Sequence, residues 1–124
     1  MPRKLQKNFN CPTEFALDVL GGKWKTVILC NLKQRPCRYA ELRKLVPRLS
    51  DKMLTERLRD LAARGLVAKS KASSNGNSEV YMLTTKGRSL SGPLKELYEW
   101  GRKNASLYGV EVGLPLLELD RTSE

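Results

Sequence analysis

The reading turns on Ser50 to Gly65, SDKMLTERLRDLAARG. Ser50 is a residue type whose hydroxyl caps the free N–H groups of a new helix, and Asp51 puts negative charge where the helix dipole favours it. Leu54, Leu58 and Leu61 recur at i, i+4 and i+7 and so share one face. Lys52, Thr55, Glu56 and Arg59 point the other way. Gly65 suits the left-handed position that closes a helix. The stretch therefore predicts a short helix with an apolar back and an outer face of long hydrogen-bonding side chains. Such a helix fits the major groove of DNA with its first turns against base edges. An ordinary solvated amphipathic helix carries the same pattern, so the flanking segments have to decide.

Upstream, Arg38 to Val46 predicts a helix with Tyr39, Leu42, Leu45 and Val46 inward and Arg38, Glu41, Arg43 and Lys44 outward. Pro47-Arg48-Leu49 is a short break before Ser50. Two helices joined by a few turn residues, the second capped and basic outside, form a helix-turn-helix signature. Downstream the period changes. Residues 66–72 (LVAKSKA) and 78–84 (SEVYMLT) each suit a strand, and they flank Ser73-Ser74-Asn75-Gly76-Asn77. Asn-Gly tolerates the positive φ of a tight hairpin turn. A hairpin in this position is a wing, and Lys69 and Lys71 on it are candidates for phosphate contact against the plainer reading of a solvent-exposed turn.

Residues 1–12 form a basic arm ending in Cys11-Pro12. Thr13 is expected to cap a first helix with Phe15, Ala16, Val19 and Leu20 as its apolar set and Gly21-Gly22 as its stop. Trp24 to Leu32 predicts a second, mostly buried helix anchored in the core by Trp24. A last helix is expected from Arg88 to Tyr108, irregular at Gly92-Pro93, with a stripe of Leu90, Leu94, Leu97, Gly101, Ala105 and Tyr108 and with Trp100 on its shoulder. That stripe is suited to packing against a second copy. The fold class expected is mainly α with a small β-hairpin: a winged helix-turn-helix with a C-terminal dimerisation helix. Its parts are the arm 1–12, a domain over 13–108, and an acidic-leaning tail 109–124 whose conformation the pattern leaves open.

A chain of 124 residues suits one domain. Lys and Arg number 23 against 13 Asp and Glu, giving +10 and a pI near 9.8. Residues 109–124 carry Glu111, Glu118, Asp120 and Glu124 against Arg121, a net of −3, which leaves +13 on residues 1–108. That excess favours a polyanionic partner through counterion release. Histidine is absent, which removes the commonest general base and metal ligand. Gly21-Gly22 lacks the frame of a phosphate-binding loop. Hence no catalytic residue, metal site or cofactor is expected, and an enzyme is disfavoured. Three cysteines without metal-ligand spacing suit a reducing compartment, and no membrane-spanning run or leader pattern is present, so a cytoplasmic location is expected.

With these elements in place the chain resembles the HxlR-type bacterial and archaeal transcription regulators, a winged-helix group related to MarR-type regulators. The matching segments are Cys11-Pro12, Gly21-Gly22-Lys23-Trp24, Arg38-Tyr39-Ala40-Glu41-Leu42, Ser50 through Leu58, Gly65-Leu66-Val67, Tyr81-Met82-Leu83-Thr84, Gly87 and Trp100-Gly101. The resemblance covers residues 11 to 105. It implies a homodimer on a pseudo-palindromic DNA operator, most often as a repressor. By position it implies base or phosphate contacts from Ser50, Lys52, Thr55 and Arg59, and a phosphate contact from Arg38. It leaves Arg57 between DNA contact and a bracing role in the fold. One departure concerns the wing: where the family commonly has Pro-Pro-Arg-Val-Glu-Tyr, this chain has Gly76-Asn77-Ser78-Glu79-Val80-Tyr81. Lys69 and Lys71 then become the wing's main phosphate contacts.

The resemblance also aligns Cys11 with a cysteine that several members use to sense oxidants or electrophiles. Arg3, Lys4 and Lys7 lie nearby and a helix N-terminus follows, both of which lower a thiol pKa. The plain alternative is an unreactive cysteine at a dimer interface. Cys30 and Cys37 are expected to pack. The function expected is a sequence-specific, homodimeric DNA-binding transcriptional regulator; whether its signal is a small molecule, a thiol-reactive effector acting at Cys11, or none is left open by the sequence. Its rivals are an architectural protein binding nucleic acid without sequence preference and a protein–protein adaptor.

Overall fold

Leu54, Leu58 and Leu61 lie beneath α4 (Asp51–Ala63) at no more than 3% exposure, so the i, i+4, i+7 stripe is the floor of the helix. The computed structural model of the protein describes residues 8–21, 23–71 and 79–113, with Lys71 described for its backbone only. The arm through residue 7, Gly22, the expected Asn75-Gly76 turn within 72–78, and the tail from Leu114 onward lie outside the described residues. Before α4 come α1 (Pro12–Leu20), α2 (Lys25–Gln34), β1 (Cys37–Arg38) and α3 (Tyr39–Leu45). After it come β2 (Val67–Lys71), β3 (Glu79–Leu83), α5 (Thr85–Arg88), α6 (Ser91–Asn104) and a 3-10 turn, Ala105–Tyr108.

Both ends of α4 form as the sequence predicts. The Ser50 hydroxyl accepts from Met53 N at 3.1 Å. At the other end Gly65 takes φ 79°, Gly65 N–H donates to Ala62 O, and Leu66 N–H donates to Leu61 O. These two bonds satisfy carbonyls that the last turn would otherwise leave open. The core around this helix joins Ile28, Leu29 and Leu32 of α2, Leu42 of α3, and Leu49, Leu66, Leu83 and Leu94. Each such leucine contributes about 1.5–3 kcal/mol by leaving water.

The sheet is larger than the expected hairpin. β1 adds to its edge, giving the antiparallel order β1-β3-β2 with Cys37 opposite Tyr81 and Val67 opposite Leu83. A two-residue strand between Pro36 and a helix is too short to leave a period, which is why it escaped the pattern. Its formation also moves the start of α3 from Arg38 to Tyr39, leaving Arg38 as the cap residue. The wing is pinned to the end of α4 by one threonine. Thr84 Oγ1 donates to Gly65 O at 2.6 Å and accepts from Gly87 N at 3.0 Å, while Thr84 N–H donates to Leu66 O. A Cβ on Gly87 would lie 2.1 Å from Leu66 O, so this approach requires glycine.

Two expectations are corrected. The last helix is not continuous: α5 ends at Arg88, α6 begins at Ser91, and the chain tightens to a 3-10 turn after Asn104. Pro93 lacks the N–H that an unbroken helix would aim at Ser89, so the break falls just upstream. The predicted stripe divides accordingly. Leu94 is buried, whereas Leu97 and Tyr108 are 50% and 70% exposed. In the first helix the cap is Cys11, not Thr13, because Pro12 takes the first helical position. Leu20 is buried and Val19 packs on the core, while Phe15 and Ala16 are exposed. Trp24 packs on the core edge with φ 84°, the sole non-glycine positive φ among the described residues.

Candidate nucleic-acid interface

The turn between α3 and α4 is clamped from both sides. Tyr39 OH donates to Asp51 Oδ1 at 2.8 Å, and Arg43 Nε lies 2.9 Å from the same carboxylate oxygen. Arg43 also donates to Leu49 O, and Leu49 N–H donates to Val46 O at 3.0 Å. The angle between the two helices is thereby held by side chains rather than by the turn backbone alone.

On the outer face, Lys52 and Arg59 are exposed and have no hydrogen-bond or ion-pair partner among the described residues. Their stems are held by the helix and their charges are free for a ligand. Ser50 is exposed, and with its oxygen engaged as a cap its hydroxyl proton can still donate outward. Thr55 is half-buried, its Oγ1 3.4 Å from Tyr39 OH, so it stands at the seam between the helices rather than at the crest. Arg38 is exposed at the start of α3, where Glu41 Oε1 accepts from its backbone N–H at 2.8 Å. These five residues therefore lie along α4 and the helix ends beside it. Lys69 is on β2, its ammonium 3.6 Å from Glu79 and over the ring of Tyr81. Both partners of that ion pair are about half exposed, so the pair is weak. Lys71 pairs by backbone with Glu79; its side chain is outside the description.

Arg57 braces the fold. Its Nε donates to Lys23 O at 2.9 Å, tying α4 to the junction before α2. A second tether was not visible in the sequence. Lys25 Nζ pairs with Asp60 Oδ2 in the interior, both residues being at most 6% exposed, and Arg64 Nε lies 3.4 Å from the same oxygen. Only the Asp60–Arg64 spacing of four could have suggested it.

The three cysteines are free thiols. Cys11 is exposed at the N-terminus of α1, where the backbone N–H groups of Glu14 and then Thr13 hold its thiol below the ordinary value. Cys37 is fully buried, and loss of water together with nearby Glu41 raises its thiol. Cys30 is half-buried on α2. Among the described residues no cluster of His, Cys, Asp and Glu could hold a metal ion, and no helix is long and apolar enough to cross a membrane.

Residues 19–108 match the family model described as HxlR-like helix-turn-helix. The chain is 40% identical over 105 residues to the HTH-type transcriptional regulator YtcD of Bacillus subtilis, covering 84% of this chain and 83% of that one. Among solved structures it is similar to the redox regulator HypR in its reduced form, with a TM-score of 0.74 and 34% identity over 80% of this chain and 98% of that one. It is also similar to the reduced form of the transcriptional regulator YodB from B. subtilis, with a TM-score of 0.66 and 32% identity over 75% and 92%.

Proposed function

The chain belongs to the HxlR-like helix-turn-helix family and is a transcriptional regulator of that type; from this premise we propose that it binds a pseudo-palindromic operator as a homodimer and represses transcription. The observation that carries the reading is a clamped, capped α4 presenting unpaired Lys52 and Arg59 on its outer face. Each protomer lays α4 in a major groove, with Lys52, Thr55 and Arg59 toward base edges. Ser50, Arg38, Lys69 and Lys71 neutralise or donate to phosphates, which position the helix without reading sequence. We take residues 13–108 as the DNA-binding and dimerising unit, with 1–12 as an arm and 109–124 as a tail.

Dimerisation draws on the apolar side chains that the protomer leaves uncovered: Phe15 and Leu17 of α1, and Leu97, Trp100, Leu107 and Tyr108 near the C-terminal end. Exposed apolar surface of this extent on a small domain marks a partner contact. Cys11 is the sensing thiol in this reading, being exposed and held toward the thiolate by a helix N-terminus, which is where oxidation or adduct formation begins. HypR's description as a redox regulator supports that role.

Fluorescence anisotropy on a preferred duplex and on random duplex tests the reading. Lys52→Ala and Arg59→Ala should each weaken the preferred complex by about 1–3 kcal/mol while leaving the random complex almost unchanged. Equal losses on both duplexes would reassign the two residues to phosphates. The net charge favours one other reading, an architectural protein without sequence preference, which predicts the same salt dependence on every duplex.

A further inference from the structure

A cleft of about 510 Å³ opens between α2 and α6, within the size range of small-molecule sites. Trp24, Val27, Cys30, Leu94 and Leu97 give it mostly apolar walls, and none of its ten described lining residues carries a charge. Thr26, Asn31 and Tyr98 are its polar side chains, and of these Asn31 alone holds a buried side-chain atom without a partner. It lines the cleft at 1% exposure. Its Nδ2 donates to Val27 O at 2.9 Å, which fixes the amide and leaves the carbonyl end on the other side. Oδ1 is buried and has no hydrogen-bond partner among the described residues. A buried acceptor without a donor is costly, and a ligand that brings the donor removes the cost.

We propose that this cleft binds an uncharged aromatic molecule carrying one N–H or O–H donor, its ring between α2 and α6 and its donor on Asn31 Oδ1. Uncharged walls disfavour an ion, and the single orphaned acceptor selects one donor. The cleft is distinct from Cys11 and from the outer face of α4. Its walls nevertheless belong to the helix tethered to α4 through Lys25 and to the helix that carries Trp100. Occupancy fixes the spacing of those two helices, so the site is suited to an effector; that role, unlike the binding itself, rests on the DNA-binding reading above.

Calorimetric titration of the full chain with 2-naphthol and 2-methoxynaphthalene tests the site without DNA, so its outcome is separate from that of the operator experiment. We expect saturable binding of 2-naphthol, one per chain, and 2-methoxynaphthalene weaker by about tenfold for want of the donor. Asn31→Leu should bring the two probes to equal affinity. Thr26→Arg, at a half-buried position on the cleft wall, should abolish binding of both. Circular dichroism checks that each variant is folded; if Asn31→Leu is not, the wild-type probe pair and Thr26→Arg decide. Equal affinity of the two probes for the wild type would overturn the proposal. So would a preference that survives Asn31→Leu, binding retained in Thr26→Arg, or no saturation with 2-naphthol up to about 1 mM.

Discussion

Asp60 shows how one buried charge fixes the attitude of α4. Its carboxylate meets Lys25 from α2 and Arg64 from its own helix, so α4 cannot roll on its leucine floor without exposing or orphaning a charge. Asp60→Ala removes the interior carboxylate that Lys25 and Arg64 share and should cost about 3–5 kcal/mol in urea unfolding. The double variant Lys25→Met/Asp60→Leu should recover most of that loss, whereas a double as unstable as the single would show the charges to be net stabilising. Cys11 makes a second prediction at this scale. Its thiol lies below the ordinary value because backbone N–H groups favour the thiolate, so the reactive form persists as pH falls. Alkylation by iodoacetamide, followed by mass spectrometry, should therefore hold its rate to lower pH at Cys11 than in an unfolded control, while buried Cys37 stays unmodified until the chain unfolds. Coincident pH profiles for Cys11 and the control would refute the first part. The Ser50 cap was legible because capping is a local rule. The Lys25–Asp60 pair was not, because its partners are far apart in sequence and only packing brings them together.

At the scale of elements, the joints matter more than the helices. Gly65 closes α4 in a left-handed conformation, and Gly87 lets α5 approach the backbone of Leu66. Gly65→Ala has space around it, Lys86 Nζ being 3.7 Å from the added Cβ, and should cost about 1–2 kcal/mol through backbone strain alone. Gly87→Ala drives a methyl into Leu66 O and should lower the melting temperature further than Gly65→Ala does. The reverse order in thermal melts would contradict the described joint. The periodicities of α2, α3 and α4 and the two main wing strands were readable because each exceeds one period. β1 was not, and Pro93 signalled an irregularity without saying that the helix would split.

At the scale of the whole molecule, the apolar surplus among the described residues lies on α1 and from the end of α6 through Val112. Sequence periodicity counted Phe15 in the apolar set of the first helix and gave Leu97 and Tyr108 to a stripe suited to packing against a second copy. A single chain of this size has no interior left for them, and the second copy of the proposed dimer would supply one. Trp100, 59% exposed and 6.3 Å from Tyr108 between ring centroids, is the largest of these side chains. Trp100→Glu should shift sedimentation from dimer toward monomer while leaving the circular dichroism spectrum unchanged, and a variant that remains a dimer would place the interface elsewhere. The proposed dimer matters because two α4 helices related by a two-fold axis would dictate the form of an operator. Selection of binding sites from random duplex DNA, with the reduced full chain at near-physiological salt, tests this most directly. The account predicts an enriched inverted repeat with half-sites about one helical turn apart. Retention of DNA with no enriched sequence would contradict it and leave a basic protein that holds duplexes without reading them.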